Sequence, residues 1–426
     1  MKKMDYQNVR GTQDFLPEAE AVRRRVRRTL EDVFIQYGCK PLETPILNYT
    51  ELLASKYGGG AEILEEMYTL SDRGKRELAL RYDLTIPFAK VIAMNPTVRM
   101  PFKRYEIGKV FRDGPIKTGR FREFTQCDVD IVGVDSQIAE AELMMMALDV
   151  FRKLELEITI QYNNRKLLTG LLEVFQTPRE KMNKVVLILD KLEKIGTVGV
   201  VNALTELGLD STVINNIKQF LNSNNNTEYS YFESFTNQNA LVQKGLDELM
   251  ELEGYLEGLG MKTECTFNPF LARGLEIYTG SIYEIFLKDE SIKSSIGSGG
   301  RYDNAIGGLI GTDQKFSTVG ISFGLDVIYT AISSNKKMNQ EESRIDYYII
   351  PINTEKETLK VARQLRERGY NVEMELGKKK LGKLMEKANK EGFPNVIIIG
   401  EEEVKLNKIK IKEMKSGQER TEFFPF

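Results

Sequence analysis

The chain has 426 residues, 41% hydrophobic and 29% charged, a globular composition long enough for about two to four domains. Lysine plus arginine number 60 against 62 aspartate plus glutamate, a net charge of −2, which excludes a protein that coats nucleic acid through bulk positive charge. There is no histidine, and the three cysteines, Cys39, Cys127 and Cys265, lie far apart, so histidine triads and bases, HExxH zinc sites, zinc knuckles and disulfide frameworks are excluded too.

The opening segment MKKMDYQNVRGTQDF lacks the apolar stretch of a signal peptide, and the longest apolar runs are strand-sized. The expectation is a cytoplasmic protein with no membrane span. Residues 18–37 predict an amphipathic helix, with Val22, Val26, Leu30, Val33, Phe34 and Tyr37 at helical spacing and Gly38 as its stop. Arg23, Arg24, Arg25, Arg27 and Arg28 are expected to face largely away from that stripe. Residues 66–89 read as strand, turn, strand. Two further strands are predicted within 102–134, joined by the polar, glycine-containing segment 112–120. A helix follows near 136–153, with Ser136 a candidate N-cap.

Residues 165–260 change to helical patterns rich in asparagine, an inserted helical subdomain. Strand signals return at 263–328. Residues 333–343 have linker composition. From 344 to 426 strand and helix alternate, which predicts a small α/β domain with a mostly parallel sheet. That domain carries a net charge of +4 and the remainder −6, which fits either an anionic partner or ordinary surface variation.

With no histidine and no tryptophan, chemistry must rest on carboxylates, Arg, Lys, Tyr, hydroxyls and backbone amides. Four segments embed such groups in strand-like sequence, where unpaired charge is costly. LRYDLTIPFA at 80–89 alternates Arg81, Asp83 and Thr85 onto one strand face. In 111–130, Arg112, Arg120 and Arg122 flank a turn, and Gln126, Asp128 and Asp130 share a face. LARGLEIYTG at 271–280 holds Arg273 and Tyr278. In SIGSGGRYDN at 295–304, Gly297, Gly299 and Gly300 permit close backbone approach to a ligand, or form a tight turn. The charged groups alone fit either a site or structural ion pairs.

Together these segments resemble the histidyl-tRNA synthetase family over nearly the whole chain. RGTQDFLP at 10–17 is similar to its opening. GCKPLETPI at 38–46 resembles the first class II signature, with Pro45 at a dimer interface. LRYDLTIPFA, REFTQCD and LARGLEIYTG resemble segments of its eukaryotic-like branch. SIGSGGRYDN resembles its second histidine motif, and GISFGLDVI at 320–328 its third class signature. The implied fold is an α+β catalytic domain, residues 1–332, with an antiparallel sheet flanked by helices, the class II synthetase fold. The helical insertion at about 165–260 and an anticodon-binding-like α/β domain at 344–426 complete it.

The resemblance implies a homodimeric histidine–tRNA ligase. It would join histidine to AMP from ATP, with Mg²⁺ bridging the outer phosphates, and pass the acyl group to tRNA(His). Arg112 would contact the α-phosphate, and Arg273 would act beside it on the histidine side. Asp83, Thr85 and Gln126 would hold the α-amino group. Asp130 and Tyr278 would grip the imidazole nitrogens. Phe124 would stack on adenine, and Arg120 with Arg122 would hold ATP and the tRNA end. No protein metal ligand is implied. Three positions depart from the family pattern: Val327 replaces an arginine over adenine, Gly114 an acid, and Ile277 the first of two tyrosines. The first two also fit a non-catalytic paralogue similar to the regulatory subunit of ATP phosphoribosyltransferase.

Overall fold

The computed structural model describes residues 6–55, 65–116, 119–223, 225–272, 277–312, 314–334, 345–377 and 379–426. The chain divides into two units, Met1–Ser334 and Asn335–Phe426.

The first unit is built on an eight-stranded sheet in the order β1-β5-β6-β11-β10-β9-β7-β8. Its strands are β1 (Lys40–Pro41), β5 (Phe102–Phe111), β6 (Glu123–Val132), β7 (Ile158–Asn164), β8 (Cys265–Phe267), β9 (Ser281–Leu287), β10 (Gly297–Arg301) and β11 (Thr318–Gly324). The central pairings are antiparallel, and only the edge strands β1 and β8 pair in parallel. A small sheet of β2 (Leu47–Tyr49), β3 (Thr69–Ser71) and β4 (Glu77–Leu80) stands apart in the order β2-β4-β3.

Strand alternation gives the large sheet two chemically distinct faces. On β6, Cys127, Val129 and Ile131 are buried on one face, and Gln126, Asp128 and Asp130 point to the other. The apolar face packs against helices α1 (Pro17–Gln36), α3 (Ile138–Lys153) and α10 (Leu325–Ser334). Phe323 of β11 touches Phe34 of α1 and Phe151 of α3, with ring centroids 5.7 and 5.9 Å apart. The predicted α1 stripe is buried at Val22, Val26, Leu30, Val33 and Phe34. Arg23 corrects the expectation for its neighbours: it is buried, ion-paired to Asp326 at the start of α10, and its guanidinium lies 3.7 Å from the Phe15 ring. Asp326 in turn accepts the Thr125 N–H of β6 at 2.7 Å.

The segment 80–89 is the main departure from the predicted strands. β4 ends at Leu80 and helix α2 runs Thr85–Met94. Pro87 falls in the first helical turn, where no N–H is needed. Ile86, Ala89 and Ile92 recur at helical spacing and are buried. Asp83 therefore lies in the connection, and its Oδ1 accepts the Ile86 N–H at 3.2 Å. SIGSGGRYDN corrects the alternative of a tight turn, since Gly297–Arg301 is strand β10. Ser136 lies one residue outside the α3 cap but accepts the Ile138 N–H at 3.2 Å.

Between β7 and β8 come α4 (Arg165–Val174), α5 (Arg179–Leu189), α6 (Leu192–Glu206), α7 (Ser211–Asn222), α8 (Tyr229–Thr236) and α9 (Ala240–Gly258). Side chains of Asn164, Asp210 and Asn239 cap α4, α7 and α9.

The second unit carries a five-stranded sheet, β13-β12-β14-β15-β16. Its strands are β12 (Tyr347–Pro351), β13 (Val372–Met374), β14 (Asn395–Ile399), β15 (Lys408–Glu413) and β16 (Glu419–Phe423). Helix α11 (Glu355–Glu367) covers one face through Val361, Ala362 and Leu365, and α12 (Leu381–Lys390) the other through Leu384 and Ala388. β13-β12-β14 is parallel and β14-β15-β16 antiparallel. The sheet is thus half parallel, because the links after β14 (400–407, holding the short helix Glu401–Lys405) and after β15 (414–418) are shorter than a parallel crossover needs.

On the polar face of the large sheet, Arg81, Glu106, Arg104 and Asp130 form a buried charge chain. Arg81 Nη1 lies 2.7 Å from Glu106 Oε1, and Arg104 Nη1 lies 3.5 Å from Glu106 Oε2. Arg104 Nη2 lies 2.7 Å from Asp130 Oδ2, a charge contact whose N–H is not aligned on that oxygen. Arg104 is fully buried and also donates to the Leu84 carbonyl at 3.0 Å. Removing its charge leaves two buried carboxylates short of a partner. Arg104→Met is expected to lower stability by about 3–5 kcal/mol, read as a lower guanidinium midpoint; an unchanged midpoint would contradict this account of the network.

Candidate active site

A cavity of about 450 Å³ opens on the polar face and is lined by Asp83, Thr85, Asp128, Asp130, Ile277, Tyr278, Ser298, Tyr302 and Ser322 among others. It shares Asp83, Thr85, Tyr278, Ser298 and Ser322 with a larger cleft of about 1640 Å³. Arg112, Arg120, Phe124, Gln126, Glu66 and Val327 line that cleft. Four candidates from three separated stretches, Asp83, Thr85, Asp130 and Tyr278, thus meet at one chamber. Arg112, Arg120, Phe124 and Gln126 stand around its mouth. Arg273 lies outside the described residues.

The chamber owes its shape to close backbone approaches. A side chain at Gly320 on β11 would run into Asp130 Oδ1, and a Cβ at Gly300 on β10 would meet the Tyr278 ring at 2.8 Å. Tyr302 donates its hydroxyl proton to Asp130. Gln126 Nε2 donates to Ser322 Oγ at 2.7 Å, while Gln126 Oε1 and Asp128 Oδ1 are buried acceptors without a hydrogen-bond partner among the described residues. Asp128 lines the inner chamber and Gln126 the outer cleft, and open acceptors there suit a ligand that brings N–H donors.

Burial raises the Asp130 carboxyl above the usual carboxylate range, opposed by Arg104 and the Tyr302 hydroxyl. Burial also pushes Asp83 up to about 6, against the Ile86 N–H and the Arg112 charge. Arg112 is fixed by its Nε, which donates to the Tyr82 carbonyl at 3.0 Å, and its guanidinium lies 5.3 Å from the Phe124 ring centre. Arg120 is half exposed, 3.8 Å from Glu66. Arg122 is the exception among the arginines: it pairs with Asp113 at 2.8 Å and does not line the cleft.

Sequence reading missed Glu66, Arg104 and Tyr302 as parts of the site. A side chain at Gly114 would occupy the place of the Glu66 carboxylate, so an acid from a distant stretch fills the space beside the departure at 114. No pattern in the sequence brings 66 to 114. Tyr302 directly follows the glycine-rich strand Gly297–Arg301, and Asp128 shares a strand face with Gln126 and Asp130. Val327 lines the cleft, its Cγ2 3.0 Å from where a Cβ on Gly119 would sit. Ile277 packs in the apolar cluster of Tyr82, Phe88 and Tyr302. Among the described residues no group of three Cys, Asp or Glu could hold a metal ion, and no helix is long and apolar enough to cross a membrane.

Asp83 carries the cost of being charged while buried. Its folded pKa is raised, so stability is undiminished below about pH 4 and falls as pH rises toward 6. Asp83→Asn is expected to stabilise the ligand-free protein by roughly 2–3 kcal/mol at pH 7.5 and negligibly at pH 4. Denaturant titrations at the two pH values check this, and equal effects at both would contradict it.

The family model described as histidyl-tRNA synthetase matches residues 11–328, and the anticodon binding domain model matches 346–423. "Histidine--tRNA ligase 2" of Shouchella clausii is 60% identical over 100% of both chains. "Histidine--tRNA ligase 1" of Bacillus cereus is 57% identical over 98% of this chain and 97% of its own. The crystal structure of histidyl-tRNA synthetase from Nostoc superposes with a TM-score of 0.82 at 29% identity, covering 99% of this chain and 97% of that one. A Bacillus halodurans structure described as an ATP phosphoribosyltransferase regulatory subunit/histidyl-tRNA synthetase gives 0.76 at 18% identity, with 93% and 99% covered, a likeness of fold alone.

Proposed function

The chain belongs to the histidyl-tRNA synthetase family, and we propose that its inner chamber holds the histidine substrate while the outer cleft holds ATP. The activity is that of a histidine–tRNA ligase: histidine and ATP give histidyl-adenylate and pyrophosphate, and the acyl group then passes to tRNA(His). Relatives carrying that name match the full length at 57–60% identity, which favours this activity over the non-catalytic paralogue.

The observation that carries the site reading is the meeting of Asp83, Thr85, Asp130 and Tyr278 at one chamber whose mouth holds Arg112. The substrate's α-ammonium group goes to Asp83, Thr85 and the open Gln126 Oε1, three acceptors on the wall of the cleft. The imidazole goes to Asp130 and Tyr278. Histidine lying this way directs its carboxylate to the mouth. Attack of that carboxylate on the α-phosphorus builds negative charge on the phosphate, which Arg112 stabilises as a fixed, always charged donor. Family resemblance adds Arg273, which lies outside the described residues, as a second arginine acting on the histidine side.

The cleft's residues fit ATP. Phe124 offers a ring face to adenine, Arg112 and Arg120 offer cations to phosphate, and Glu66 offers the carboxylate that position 114 lacks. Mg²⁺, where it takes part, would neutralise phosphate charge, with Glu66 and Glu284 the cleft carboxylates that could help hold it. The reading includes a cytoplasmic homodimer. Exposed Ile46, Leu47, Tyr49 and Leu70 gather around the small sheet beside Pro45, an apolar surface suited to a second copy.

Histidine-dependent exchange of pyrophosphate into ATP tests the reading. Asp130→Asn and Tyr278→Phe are expected to raise KM for histidine at least about tenfold, and Arg112→Ala to lower kcat by about 10²–10³. Histidine binding without exchange in the unsubstituted protein would favour the paralogue instead. Glu66→Gln is expected to raise KM for ATP and leave KM for histidine within about twofold, because a lost charged hydrogen bond in the outer cleft does not reach the chamber. A change in histidine KM of equal size would remove Glu66 from the nucleotide site.

A further inference from the structure

Gln126 serves an ammonium group only if its amide is turned the right way. One end of the amide donates and the other accepts, so a reversed Gln126 would aim N–H bonds at a cation. The fold settles the orientation through a serine. Strand β11 sets Gly320, Ser322 and Gly324 directly opposite Asp130, Asp128 and Gln126 of β6. Within these three pairs, Ser322 is the one position of β11 that carries a side chain. With glycine across from it, Gln126 leans to its diagonal neighbour, a separation that a long side chain spans. Its Nε2 donates to Ser322 Oγ at 2.7 Å.

A serine hydroxyl has one proton to donate and two lone pairs. Directly across the ladder, the Asp128 carboxyl accepts the Ser322 O–H. A carboxyl keeps an acceptor oxygen whether it is ionised or protonated, so this direction does not depend on the charge of Asp128. What Ser322 has left for Gln126 is a lone pair, and only the N–H end of an amide can meet it. Gln126 Oε1 is thereby turned away from the serine, buried and without a hydrogen-bond partner among the described residues. Ser322 stands where the two spaces join: it lines both, with Asp128 on the chamber and Gln126 on the cleft. Asp83 and Thr85 line the same junction.

We propose that Ser322 is a positioning residue for histidine: by accepting the Gln126 N–H it holds Gln126 Oε1 toward the substrate's α-ammonium group, beside Asp83 and Thr85. This rests on the reading that the chamber holds histidine. Ser322 acts through Gln126. Its effect therefore depends on the ligand's amino group and on the presence of Gln126, whereas a general packing role would depend on neither.

The probes are L-histidine and 3-(imidazol-4-yl)propionate, which keeps the ring and the carboxylate but has no amino group. Calorimetry on the full chain measures histidine directly and the propionate by displacement of histidine. Ser322→Ala is expected to weaken histidine about five- to tenfold and the propionate less than about twofold. In a Gln126→Ala background, Ser322→Ala is expected to change histidine affinity by less than about twofold, the non-additivity of two residues that act as one unit. A loss that falls equally on both ligands, a loss that persists without Gln126, or an unchanged histidine affinity in Ser322→Ala overturns the role. Should the propionate bind too weakly to measure, the comparison with and without Gln126 decides. Should Ser322→Ala not fold, Ser322→Cys, whose sulfur is only a weak acceptor, takes its place in both comparisons. An unsubstituted protein that does not bind histidine overturns the histidine reading itself.

Discussion

Arg104 is the side chain on which the site's geometry depends. It is fully buried, and one guanidinium faces Glu106 on its own strand and Asp130 on the next. Isolated burial of any of these charges would be prohibitive, and in pairs it is tolerable only with further hydrogen bonds. Those bonds are present. Glu106 accepts from the Thr44 N–H and hydroxyl at 2.9 Å and from Arg81 at 2.7 Å, Asp130 accepts from Tyr302, and Arg104 donates to the Leu84 carbonyl. The chain of charge therefore ties the stretch around Thr44, the entry to α2 and the β10 exit to one point on β6. A chamber wall assembled from four distant stretches keeps its shape because each is held by a partner that cannot be solvated in its absence.

How much of this could be read from sequence depended on whether the signal was periodic. The β6 alternation was legible because period two is a property of the strand itself, and it put Gln126, Asp128 and Asp130 on one face correctly. The α1 stripe was legible for the same reason at period 3.6. Arg81, Asp83 and Thr85 also alternate, but here the pattern misled. Pro87 and the spacing of Ile86, Ala89 and Ile92 favour a helix, and three polar residues in a connection have no obligation to share a face. Asp83 and Thr85 reach the chamber anyway, through the turn of the chain and not through a strand, while Arg81 turns to Glu106.

What sequence could not supply was pairing between distant positions. Arg23 was one of five arginines in a row of near-equivalents, and nothing local marks it as the one that meets Asp326. Glu66 is likewise unremarkable until the fold sets it against Gly114. The same limit applied to the second unit: its strands were legible, but not that β15 and β16 would run antiparallel, since short links rather than periodicity decide direction. Family resemblance bridged part of this gap by supplying order among motifs, and its silence on Glu66 shows where the bridge ended.

In a protein without histidine, a side chain titrates near neutrality only if its surroundings shift it there. Carboxylates ordinarily titrate near 4, too low to donate to an imidazole at neutral pH. Burial is the available device: it disfavours the charged form and lifts a carboxyl toward the range where a ring nitrogen competes for its proton. In this chamber the lift is graded by partners. Asp83, with a backbone N–H and Arg112 nearby, is pushed up to about 6, whereas Asp128, with an open oxygen and two neighbouring acids, is pushed up to about 8. Burial thereby leaves the chamber one acid, Asp83, that ionises below neutrality and one, Asp128, that holds its proton to higher pH. That division follows from which oxygens the fold leaves unpartnered, and it requires no residue that the composition lacks.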